Sequence, residues 1–296
     1  MLRSLIAAGL FTAAATLFGA NAKAEPAMWT LSDEDTTINI LGTVHLLPPD
    51  TEWRSERIDA AFEAADTVCF EVDAVGRALE VVGLTFSRGI MPSGERMTDY
   101  LTDEETEEVK AIAAELGIPF PSMNVMQPWF AGLTIEQYVA SRAGLAEGVE
   151  FLLHPEVLQS GKTLCEMETV EEQLGGLASM SLEEQFKVMR ESQEDFEDLG
   201  ADGLVDQFIE GIDELVDLWL AGDVDGLAAE VTPEAFGSEA YYDALLVTRN
   251  ENWIPRIEAM LEGEGNILIA VGAAHLAGPD SVITMLRTKG YEIEGP

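Results

Sequence analysis

The sequence predicts an α/β protein with a central mixed sheet built from strands near both chain ends and a large helical insertion between them. Three observations predict it. Strand-like segments cluster in residues 28–72 and return in residues 266–293. The later cluster opens with a continuous apolar run, Asn266-Ile-Leu-Ile-Ala-Val, of the kind found in strands covered on both faces. Between the clusters, helical spacing and helix-start signals dominate.

The elements follow in order along the 296 residues. Met1-Leu2-Arg3, an apolar run from Leu5 to Phe18 and small residues at Ala22 and Ala24 form the pattern of a cleavable signal peptide, residues 1–24. The run is shorter than the roughly 18 apolar residues a membrane anchor needs. Cleavage after Ala24 leaves residues 25–296 as one domain, exported to the periplasm or secreted. Met28-Trp-Thr-Leu, the turn set Ser32-Asp-Glu-Asp and Thr36-Thr-Ile-Asn-Ile-Leu read as a hairpin. Gly42-Thr43-Val44-His45 closes its second strand, and Pro48-Pro49-Asp50 forms a loop. Ser55 to Ala65 reads as a helix with Ile58, Ala61, Phe62 and Ala65 on one side, and a strand follows at Thr67–Val72, which suggests a parallel strand–helix–strand unit.

The helical insertion covers about residues 98–262 and is interrupted by a strand near 163–168. Thr102 with Glu105 forms a capping box for a helix ending before Gly117, and Ser181 with Glu184 another for a helix through Glu191. A third helix spans Leu204 to Leu220. After the apolar strand come Gly272-Ala273-Ala274-His275, a helix from about Pro279 to Thr288, a stop at Gly290 and a last strand near Tyr291–Ile293.

With 55 acidic and 16 basic residues and a net charge of −39, the chain repels nucleic acid and anionic lipid, so neither is a partner. A peptide or small-molecule substrate remains, without a stable membrane anchor. The two cysteines, Cys69 and Cys165, each sit in a short apolar run. Export permits a disulfide, which needs Cα atoms within about 7 Å; the apolar settings favour buried free thiols.

Two of the three histidines share one context, Gly42-x-x-His45 and Gly272-x-x-His275, each closing an apolar strand. Ligands bind at the carboxyl ends of strands in α/β sheets, and two imidazoles delivered there could hold a divalent metal or share acid–base work. Glu71, in Cys69-Phe-Glu-Val-Asp, and Glu168, in Cys165-Glu-Met-Glu-Thr, are the carboxylates that could complete such a site or activate a water. The plainer alternatives are a buried Arg partner for Glu71 and a helix-cap role for Glu168. His154 reads as a helix-end residue at the surface, and Met123, Met126, Trp129 and Phe130 as core rather than a peptide groove. No His-Glu-x-x-His, Gly-x-Ser-x-Gly or phosphate-loop motif occurs, which excludes the usual zincin, α/β-hydrolase and NTPase arrangements.

Taken together, the Leu41-Gly-Thr-Val-His-Leu-Leu-Pro-Pro segment, Cys-Phe-Glu-Val-Asp, Met167-Glu-Thr with Glu171-Glu-Gln, Arg249-Asn-Glu-Asn-Trp253 and Val271-Gly-Ala-Ala-His-Leu-Ala-Gly resemble the TraB/GumN family. That family is similar to the Tiki metalloproteases and more distantly to the erythromycin-esterase and haem-binding ChaN-like folds. The resemblance implies metal-dependent peptide hydrolysis, with an ester as the other possible substrate, and sets His45, His275 and Glu71 as ligands of a divalent metal; such mixed nitrogen and oxygen ligation suits Zn, Mn or Co. It places Arg249 and Asn250 at the family's Arg-Asn pair, where a guanidinium could hold a substrate carboxylate or an oxyanion. A non-catalytic haem- or metal-binding protein and a metal-free hydrolase with a His/Glu pair are the alternatives it leaves.

Overall fold

The computed structural model describes residues 24–296, apart from the side chains of 191–199 and 201. The expected signal segment lies, but for Ala24, outside the described residues. Four parallel strands form the heart of one six-stranded mixed sheet, in the order β6-β4-β7-β2-β1-β8. β1 (Met28–Ser32) and β2 (Thr36–Thr43) make the expected hairpin, with Met28 opposite Leu41 and Ser32 opposite Thr37. Asp33 turns it by accepting the backbone N–H groups of Asp35 and Thr36 through Oδ1. A two-residue strand, β3 (Leu46–Leu47), follows, and then β4 (Thr67–Phe70).

The strand–helix–strand unit is parallel as expected, but its two strands are not neighbours. β7 (Gly265–Gly272), the apolar run near the carboxyl end, lies between them, paired with β2 from Thr36↔Gly265 to Thr43↔Gly272 and with β4 on its other side. Ile38, Ile40, Leu268, Ile269 and Val271 are all buried, as the unbroken apolar run requires of a central strand. β6 (Thr163–Glu166) extends the sheet beyond β4, and β8 (Ile293–Glu294) closes the other edge against β1.

The local signals form as read. Thr102 and Glu105 exchange both capping hydrogen bonds ahead of the helix Asp103–Glu115, and Ser181 Oγ accepts the Glu184 N–H. The helices expected through Glu191 and from Leu204 run on as Leu182–Leu220, broken in direction at Gly200 (φ 65°), where a left-handed backbone suits glycine. No helix among the described residues is long and apolar enough to cross a membrane.

Two expectations are corrected. Cys69 and Cys165 are directly opposite in the β4–β6 register with Cα atoms 4.3 Å apart, and they form a disulfide. Burial argued for free thiols only while the strands were not known to be neighbours. His154 is not at the surface: it is buried in the helix Val149–Ser160, with Nε2 2.9 Å from Asp73 Oδ1 and its ring against Phe70. Met123, Trp129 and Phe130 are buried as core.

The helix Thr248–Leu261 is fastened to the sheet by Trp253, Ile254 and Ile257, which pack with Ile269 and Val271 of β7. Each such buried side chain contributes roughly 1.5–3 kcal/mol. That packing holds Arg249 and Asn250, one turn earlier, beside the ends of the parallel strands.

Candidate active site

Because β6, β4, β7 and β2 run the same way, their carboxyl ends deliver Glu168, Glu71, His275 and His45 to one edge of the sheet. The Glu71 carboxylate is buried. Its Oε1 accepts the Gly272 N–H (2.7 Å) and its Oε2 accepts Arg249 Nη2 (2.5 Å). Arg249 Nε also donates to Glu168 Oε1 (2.8 Å), Nη2 reaches the same oxygen, and Nη1 donates to the Leu245 carbonyl (3.0 Å). The guanidinium thus clamps carboxylates from two adjacent strand ends and lies over the Trp253 ring. Burial alone raises the Glu71 carboxyl, but Arg249, then His275, His45 and the Gly272 N–H, outweigh it and hold the group well below its usual range. Glu168 goes the other way: burial raises it, and its one guanidinium offsets that only in part.

His275 is buried, and its Nδ1–H donates to Asn250 Oδ1 at 2.6 Å. The Asn250 amide is oriented by its own Nδ2, which donates to the Asp280 carbonyl (2.8 Å). This fixes the tautomer and leaves a lone pair on Nε2. Burial lowers the imidazole to about 3, with Glu71 opposing, so the ring is neutral at pH 7. Its Nε2 lies 3.7 Å from Glu71 Oε1. His45 approaches the same oxygen from the end of β2, with Nε2 at 3.9 Å, while its Nδ1 lies 3.2 Å from Glu150 Oε1. Its side chain is 64 % exposed, so the ring faces open space. The Glu150 carboxylate beside it raises the imidazole above its ordinary value, a pull that solvent around the exposed ring weakens, and a metal bound at Nε2 would have to displace the proton there.

The role of Gly272 is steric. A Cβ there would lie 3.0 Å from Glu71 Oε1, 3.4 Å from His45 Nε2 and 3.7 Å from His275 Cδ2, in the space between all three groups. The second Gly-x-x-His motif therefore supplies both a histidine and the gap it faces.

These groups open onto a cleft of about 260 Å³ whose lining includes His45, His275, Arg249 and Gly272, with apolar walls from Ile212, Leu227, Val231 and Phe236. Glu136 and Glu230 line it as well. Burial pushes Glu136 up to about 7, against an opposing pull from His45.

Of the residues the sequence singled out, the structure brings His45, His275, Glu71, Arg249 and Asn250 together. Glu168 joins them only from behind: it does not line the cleft and serves to hold Arg249, while Thr169, not Glu168, caps the following helix by accepting the Glu172 N–H. The Arg partner proposed for Glu71 is real and coexists with an open cleft. Asn250 orients His275 rather than facing a substrate. Glu136 and Glu150 were missed. Glu150 reaches His45 because β3 pairs with the short β5 (Ala146–Glu147), and Gly148 permits this: a Cβ there would lie 2.2 Å from the Val44 carbonyl oxygen. The Glu147-Gly-Val-Glu150 segment was the available signal.

A sheet edge that gathers two imidazoles, a clamped carboxylate and a half-buried acid around one cleft gives this α/β protein its candidate site at the carboxyl ends of parallel strands. The chain belongs to the TraB/PrgY/gumN family, whose model matches residues 27–295. Among curated proteins and solved structures, nothing matches it.

Proposed function

We propose that this protein is an exported hydrolase, cleaving peptide bonds or small esters, whose cleft binds a divalent metal through His45, His275 and Glu71. The observation that carries the reading is the convergence of two imidazole Nε2 atoms on one Glu71 oxygen, 3.7 and 3.9 Å away. Each ring is held from behind, His275 by Asn250 and His45 by Glu150, the arrangement that orients metal-ligating histidines.

The donors fit a divalent ion in kind. Among the described residues, no group of three or more His, Cys, Asp or Glu side chains is arranged, as it stands, to hold a metal ion. Ligand atoms around an ion with bonds of about 2.1 Å stand about 3.4 Å apart in a tetrahedral shell, and the two distances from imidazole Nε2 to Glu71 Oε1 exceed that by a few tenths of an ångström. When bound, the ion supplies Lewis acidity and makes a coordinated water acidic near neutral pH. Arg249 keeps Glu71 ionised and fixed, and Asn250 keeps the His275 Nε2 lone pair directed at the cleft. Glu136, which lines the same cleft, would serve as the base.

Elemental analysis of the purified mature protein, beside peptide hydrolysis with and without chelator, tests this. About one ion per chain, lost together with activity in chelator and in His45→Ala and His275→Ala, is the expected result; full turnover by metal-free protein refutes it. A second reading, a metal-free hydrolase using the His and Glu groups alone, draws on the unclosed ligand set and on the Arg249 clamp already engaging Glu71. Turnover insensitive to chelator selects it. Export is supported by the Cys69–Cys165 disulfide, which suits an oxidising compartment. An intact mass starting at Glu25 checks it, and a retained Arg3-containing segment rules it out.

A further inference from the structure

Glu230 has no part in the chemistry above, yet it lines the same cleft. It ends the short helix Val224–Glu230 and is 8 % exposed. Among the described residues, no hydrogen bond or ion pair reaches its carboxylate. Ile212, Leu215, Leu227, Val231 and Phe236 also line this cleft. A carboxylate that lines a largely apolar cleft and is bonded to no side chain is open to a ligand that completes it. Burial and the neighbouring Glu214 both disfavour its charged form, so a cation brought to it would find a strong partner.

The resident cations are already engaged. Arg249 is held by Glu71 and Glu168, and His45 by Glu150. An anionic ligand would face Glu136 and Glu230, and the two cationic side chains of the cleft, Arg249 and His45, each already face a carboxylate. A cation on an apolar stem satisfies both features of the wall at once, the unpaired carboxylate and the aliphatic lining.

We infer that Glu230 anchors the positive group of the substrate, so that the cleft selects chains carrying an alkylammonium, from an amino terminus or a lysine side chain, beside an apolar segment. This deepens the reading of the cleft as a substrate site and shares its premise that substrate enters there. It does not depend on a metal or on turnover.

Calorimetric titration of the mature chain with n-hexylammonium, and with 1-hexanol as a neutral ligand of the same size, tests it directly. The ammonium should bind at least about tenfold more tightly, as one charge-assisted contact provides. Glu230→Gln should abolish that preference, and Glu230→Asp should keep most of it. Equal binding of the two ligands by the unaltered protein, which requires no variant, overturns the proposal. So does a preference that survives in Glu230→Gln. Competition by a leucine-rich peptide with a free or acetylated amino terminus, and with lysine or norleucine inside, then locates the ammonium. An ammonium preference without hydrolysis would sink the hydrolase and leave the anchor standing; hydrolysis without the preference would do the reverse.

Discussion

Replacing Arg249 by methionine removes one cation from between two carboxylates and keeps an apolar stem of similar length. The guanidinium donates to Glu71, to Glu168 twice and to the Leu245 carbonyl, and all three side chains are buried. Breaking a buried pair by deleting one partner costs about 3–5 kcal/mol, because the remaining charge has neither water nor a counter-ion. With global stabilities of about 5–15 kcal/mol, the variant still folds but melts on the order of 10 °C lower. The loss depends on pH in a definite direction. Glu71 has a folded pKa depressed below its ordinary 4.5, so its contribution is fully present above that value and fades as pH falls below it. In Arg249→Met both carboxylates take up protons in the folded state instead, and the deficit against the unaltered protein shrinks on acidification. Urea unfolding at pH 7 and pH 4 measures both. Adding Glu168→Gln to Arg249→Met should restore about 1 kcal/mol or more by removing one stranded charge. A loss below about 1 kcal/mol at pH 7, or an equal loss at both pH values, would refute the clamp as an energetic element.

Three further outcomes follow from the geometry. Gly272→Ala puts a methyl group between Glu71, His45 and His275, and should lower turnover about a hundredfold while costing about 1–3 kcal/mol of stability; wild-type kinetics would contradict the steric role. Denatured, unreduced protein should label at neither cysteine and, after reduction, at both, and replacing the pair by serine should cost about 2–5 kcal/mol in chemical unfolding. His154→Ala should cost about 1–3 kcal/mol through its buried contact with Asp73, with kcat/KM unchanged, since His154 does not line the cleft.

Local order was legible where a residue's own neighbours determine it. The β1–β2 hairpin, the Thr102–Glu105 cap and the buried strand at residues 266–271 formed as read, because turn chemistry, capping and apolar runs act over a few residues. What was hidden depends on which distant segments lie side by side. That β7 separates β2 from β4, and that Cys69 faces Cys165, follows from strand order, which period and composition do not encode. The site divides in the same way. His45, His275 and Glu71 were visible because they end strands. Glu150 and Glu136 arrive on helices of the insertion, and the two-residue pairing that brings Glu150 in is too short to leave an alternating pattern.

The place of β7 has a consequence for biosynthesis. The middle strand of the sheet is supplied by residues 265–272 of 296, so until those residues leave the ribosome β2 and β4 have no partner on their inner edges. Such late, long-range pairing makes folding slow and exposes open strand edges meanwhile. The same segment carries Gly272, with His275 just beyond it. A chain cut short before residue 265 therefore lacks both the keystone of its sheet and half of its imidazole pair, so the fold and the candidate site are completed by the same late segment.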